Sequence, residues 1–131
     1  MAQSVYNYVH DLKFSYLSVA TVGMAKRLVL DLYGVALGGA QTEMSRIMRD
    51  HAAGHFGGRH ARMLLDGRRV SAAGAALAGG ITIDALDGHD GQKLTKGHVG
   101  CGVFPSVLAL MEAQACDDPR VMLTALVAGY E

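Results

Sequence analysis

The chain has 131 residues, half of them hydrophobic and 18% charged, which is too apolar for a disordered protein and long enough for one domain with a buried core. Twelve Lys+Arg balance twelve Asp+Glu, so the formal net charge is zero with His neutral, and this balance gives no electrostatic support for nucleic-acid binding. No uncharged apolar run is long enough to span a membrane.

Only two prolines, no tryptophan and an Ala/Leu/Met-rich background favour helices. The first is expected over 4–13, where Val5, Tyr8, Val9 and Leu12 recur at helical spacing. Ser18 reads as the N-cap of a longer helix over 19–37, with Val22, Ala25, Val29, Leu32, Val35 and Ala36 on one stripe. Gly38-Gly39 are expected to stop it through a left-handed C-cap. Thr42 caps a third helix through Ala53, with Glu43 in the first turn, where the dipole favours a negative charge. Residues 54–70 read as an irregular connection with one short extended segment and a turn at Asp66-Gly67.

Ser71 caps a helix over 72–86, SAAGAALAGGITIDALD, built mostly from alanine and glycine. Glycine inside a helix costs about 1 kcal/mol relative to alanine, so tight packing against neighbours must stabilise this one. A loop follows at 87–102, then a helix over 103–115 with Pro105 in its first turn. Asp117-Asp118-Pro119 opens the last helix, with proline at the first helical position. That helix is apolar nearly all round and stops at GYE without a C-cap. Helices of this kind are normally buried between other elements, so the expectation is a truncated piece of a larger protein; the alternative is a helix docked into this domain's own core. Five to six helices make the expected class all-α.

The loop DGHDGQKLTKGHVGCG holds the one dense cluster of polar functional groups in the sequence. Asp87, His89, Asp90 and His98 supply acid and base groups, and histidine titrates near neutral pH, as proton transfer requires. Lys93 and Lys96 are suited to neutralising substrate carboxylates. Glycines here allow positive φ and close backbone approach, and a helix starting near Gly102 would turn its N–H groups towards an anion. These features suit a small polycarboxylate; the competing view is a solvated loop with Asp/Gly turn chemistry. Asp87, His89, Asp90 and His98 also mix oxygen and nitrogen metal ligands, but their spacing fits no established motif. His51 and His55 stand four apart without the acid of HExxH and read as a surface pair. Arg59, Arg62, Arg68 and Arg69 make a basic patch with little aromatic interleaving, read as a solvated face. Cys101 and Cys116 lack CxxC spacing and read as partly buried reduced thiols. The N-terminal segment MAQSVYNYVHDLKF has no signal-peptide pattern, so a cytoplasmic protein is expected.

Four segments in order resemble the MmgE/PrpD family, which includes 2-methylcitrate dehydratases, cis-aconitate decarboxylases and iminodisuccinate epimerases. They are MAKRLVLDLYGVALGGA (24–40), SAAGAALAGGITIDALDGHDG (71–91), GHVGCGVFPSVLALMEA (97–113) and DDPRVMLTALVAGYE (117–131). The resemblance implies an all-helical N-terminal domain of a two-domain lyase or isomerase, with the second domain absent from 1–131. It implies Asp87, Asp90 and His98 as active-site residues, read here as catalytic, while His89, Lys93 and Lys96 are expected to bind substrate carboxylates from their residue types. It also implies a small di- or tricarboxylate substrate and a homodimer, and acid–base work of this kind is expected to need no metal or organic cofactor. His89 stands where many members have aspartate, and Val99 replaces a common proline. These departures bear on 2-methylcitrate as substrate and leave an epimerase or another lyase open. The competing expectation is a catalytically inactive fragment or helical interaction module.

Overall fold

The structure of the chain, a computed structural model, describes residues 2–88, 90–94 and 96–131. Among these the helices are α1 (Ala2–Asp11), α2 (Val19–Gly39), α3 (Glu43–His55), α4 (Ala72–Asp84), α5 (Val99–Ala113) and α6 (Pro119–Tyr130). A single 3-10 turn spans Phe14–Tyr16. Two antiparallel hairpins interrupt the helices: β1 (Ala61–Arg62) pairs with β2 (Arg69–Val70), and β3 (Gly91–Gln92) pairs with β4 (Gly97–His98). The fold is all-α with two very short ribbons.

The caps read from the sequence set the helix starts. Ser18 Oγ accepts from the Thr21 N–H at 3.0 Å, and Thr42 Oγ1 accepts from the Ser45 N–H at 3.2 Å. Ser71 Oγ accepts from the Gly74 N–H at 3.2 Å, and Asp118 accepts from the Arg120 N–H at 2.9 Å ahead of Pro119. Each satisfies one of the N–H groups that a helix leaves without an internal partner.

Helix α4 is the centre of the packing, in contact with α2, α3 and α5. One core cluster joins Leu32 and Ala36 of α2, Ile83 of α4, Phe104 of α5 and Leu126 of α6. The second joins Ala52 of α3, Ala61, Met63 and Val70 of the first hairpin, Ala75 and Ala78 of α4, and Ala109 of α5. The small residues of α4 let its neighbours come close. A Cβ on Gly79 would stand 2.7 Å from Pro105 Cβ, and one on Gly80 would stand 3.0 Å from the Cys101 carbonyl oxygen.

Several boundaries differ from expectation. Helix α5 begins at Val99 rather than 103, because the β3–β4 hairpin delivers the chain to the helix at His98. Pro105 therefore lies in the helix interior, where it cannot donate to the Cys101 carbonyl. Gly80 packs against that same carbonyl. Helix α2 continues through Gly39 and ends on Ala40 in a right-handed conformation (φ −60, ψ −19), so no left-handed glycine cap forms. Gly39 serves the α2–α4 crossing instead: a Cβ there would fall 1.9 Å from the Thr82 carbonyl oxygen. The connection after α3 holds two extended pieces, not one, around a turn in which Met63 O accepts from the Asp66 and Gly67 N–H groups.

The arginine patch is an exposed face, as expected, and three of its members are also ion-paired. Arg68 binds Asp66 and Asp50, while Arg62 and Arg69 both bind Glu112 of α5 and tie the first hairpin to that helix. Helix α1 leaves its apolar stripe in the open, with Val5 60% and Val9 51% exposed. Helix α6 buries Leu123 and Leu126 and exposes Val121. Both cysteines are free and half-buried. No helix among the described residues is long and apolar enough to cross a membrane.

Candidate active site

The junction of α4 and α5 gathers the polar chemistry. Asp84, the last residue of α4, is the one charged residue in that helix. A carboxylate at a helix C-terminus opposes the dipole, but here it faces the opening of α5, where negative charge is favoured. The His98 Nδ1 lies 3.2 Å from Asp84 Oδ1. Cys101, one turn into α5, directs its Sγ to the same Oδ1 at 3.8 Å. Burial and the neighbouring Asp84 carboxylate push the Cys101 thiol up, so it is held protonated. A groove of about 300 Å³, lined by Gly80, Ile81, Asp84, Cys101, Gly102 and Ser106 among others, runs beside the cluster.

The remaining candidates sit on the segment that crosses from α4 to α5. Asp87 is exposed in the turn three residues beyond α4, its backbone N–H donating to Asp84 O. Asp90 accepts a hydrogen bond from the Tyr130 hydroxyl at 2.5 Å, which ties the segment to the end of α6. Burial first, and the Asp90 carboxylate second, raise the Tyr130 phenol well above its ordinary value of 10.0. Lys93 and Lys96 are exposed at the turn of the β3–β4 hairpin. His89 lies outside the described residues. The left-handed positions of this segment belong to Asp87 (φ 58), Asp90 (φ 60) and Lys96 (φ 54), not to its described glycines as expected. Aspartate tolerates this region better than most residues, whereas Lys96 stores strain there.

The structure thus brings His98 together with Asp84 and Cys101, and joins Asp90 to Tyr130. The carboxylate against the His98 ring is Asp84, three residues before Asp87. Sequence reasoning missed Asp84, Cys101 and Tyr130 as site residues. A lone charge at the wrong end of an apolar helix was the available signal for Asp84; nothing local pointed to Tyr130, whose partner is 40 residues away.

A family model described as the MmgE/PrpD N-terminal domain matches residues 3–131. The chain belongs to the MmgE/PrpD family. No curated protein and no solved structure matches it. Within this MmgE/PrpD domain, the cluster at the α4–α5 junction and the Asp90–Tyr130 bond are supplied by three of the four segments that carried the resemblance.

Proposed function

We propose that this MmgE/PrpD domain contributes the acid–base half of an active site for a small di- or tricarboxylate, in a dehydratase, decarboxylase or epimerase. The observation that carries the reading is the Asp84–His98 pair at 3.2 Å. A carboxylate accepting from Nδ1–H orients the imidazole and leaves Nε2 as the proton-carrying nitrogen. His98 is then the group that takes the proton next to a substrate carboxylate and returns it, for elimination, decarboxylation or reprotonation. Such chemistry needs no metal or organic cofactor.

Lys93 and Lys96, exposed at the hairpin turn, neutralise substrate carboxylates, and His89 joins them. Asp90, held by Tyr130, keeps this segment against the end of α6, and Asp87 serves as a second proton carrier at the rim. The test compares the complete natural gene product with its His98→Ala variant on citrate-like and iminodisuccinate-like substrates. A general acid–base group contributes about 10²–10⁴-fold, so turnover falls at least about 100-fold. Unchanged turnover refutes the role of His98.

A further inference from the structure

We propose that Cys101 is a positioning residue for the acid–base pair: its S–H donates to Asp84 Oδ1, the oxygen that faces His98 Nδ1, and fixes that carboxylate against the imidazole. The role rests on the proposed acid–base function of His98. The Cys101 Sγ lies 3.8 Å from Asp84 Oδ1, and the His98 Nδ1 lies 3.2 Å from the same atom. A carboxylate has a broad terminal torsion, so one donor fixes a distance but not an angle. A second donor on the same oxygen adds the missing constraint. The thiol also lies 3.4 Å from the His98 carbonyl oxygen, so its single proton bridges the backbone that carries the imidazole and the carboxylate that orients it.

The helix crossing sets this reach. His98 is the N-cap residue of α5 and Cys101 stands three positions on, so the two share one face of the first turn. Gly80 and Asp84 stand four apart on α4 and share the facing side. Cys101 meets both: its carbonyl oxygen packs on Gly80, where a Cβ would stand 3.0 Å from it, and its thiol reaches Asp84. Gly79 closes the same crossing against Pro105, so the thiol stays beside the carboxylate unless α5 itself moves. Burial, and then the Asp84 carboxylate, keep the thiol protonated and therefore a donor. A thiol is a weak donor, so it biases the pair by about threefold rather than controlling it outright.

The experiment reads the His98 tautomer directly. The chain is labelled with 15N-histidine, and ring-nitrogen shifts are recorded at about pH 9, where an ordinary imidazole is neutral. His98→Ala assigns the His98 signals among those of the six histidines. Wild type is expected to carry the proton on Nδ1, as a carboxylate acceptor there demands. Cys101→Ala raises the share of the Nε2–H form by about threefold, and Cys101→Val, which keeps most of the side-chain volume, does the same. Cys116→Ala leaves that share unchanged. Circular dichroism of each variant separates a shifted tautomer from a lost fold. In the complete natural gene product, Cys101→Ala lowers kcat by about threefold at unchanged KM. An unmoved tautomer in the folded Cys101 variants, or an equal shift in Cys116→Ala, overturns the role. A wild type with its proton on Nε2 overturns the Asp84–His98 pair and the role with it, so the two failures are told apart before any substitution is made.

Discussion

Replacing Gly39 by alanine tests how the α2–α4 crossing shapes the site. The new Cβ would start 1.9 Å from the Thr82 carbonyl oxygen, and real Cβ atoms essentially never come within 3.0 Å of a neighbour. About 1.1 Å must therefore be gained at an obstacle that is backbone, not a flexible side chain. Thr82 is fully buried and its hydroxyl already donates to Ala78 O at 2.8 Å, so α4 must move rather than one group rotate. The Gly39 carbonyl is itself anchored, accepting from the Thr42 and Ser45 hydroxyls at 2.7 Å each. Overpacking of this kind costs about 1–3 kcal/mol, against at most about 1 kcal/mol gained from the helix preference for alanine. Because the obstacle is backbone, the upper part of that range applies, and Gly39→Ala is expected to be about 1–2 kcal/mol less stable, seen as a lower urea midpoint with an unchanged slope. Gly34→Ala, in the same helix with nothing within 4 Å of the added Cβ, is the control and should gain about 0.5–1 kcal/mol. Because α4 ends at Asp84, its displacement also disturbs the Asp84–His98 contact. Equal stability of Gly39→Ala and wild type, or equal losses in both variants, would refute the packing argument.

Three further outcomes follow from other parts of the fold. The Arg68 guanidinium holds the Asp66 carboxyl below its ordinary 3.8, so the stability this pair adds is complete above that pH and is lost as pH falls through the depressed value. Asp66→Asn should cost about 1 kcal/mol at neutral pH and lose less on acidification than wild type; parallel urea-midpoint curves down to acid pH would count against it. Tyr130→Phe removes the donor to Asp90 and should cost about 1 kcal/mol locally, read as faster amide exchange in 90–98 with little change in global unfolding. Unaltered exchange there would show that the bond does not hold the segment. Ser71→Ala removes the cap of α4 and should lower stability by about 1 kcal/mol in thermal or urea unfolding, whereas no loss would mean that core packing alone sets the start of that helix.

The legible part of this protein was local. Ser18, Thr42, Ser71 and Asp118-Pro119 announced four helix starts because a cap bonds N–H groups only two or three residues away. Apolar periodicity and the small residues of 72–84 gave the all-α class and a tightly packed central helix, since side-chain size and helical spacing are both readable along the chain. The early start of α5 was hidden because Pro105 looks like a first-turn proline until the hairpin before it is known.

The polar segment 87–102 was visible as a place for chemistry from its residue types alone. Which acid meets His98 was not, because that depends on how α4 crosses α5, and the choice fell on Asp84, 14 residues from the histidine. The Asp90–Tyr130 bond likewise spans 40 residues and exists only once α6 has docked. Sequence alone determined the helices and the inventory of acids, bases and thiols. Tertiary structure decided which of them touch, because contacts between distant residues are set by helix crossings, and those crossings turn on the few positions, such as Gly39 and Gly79, where a single added carbon would not fit.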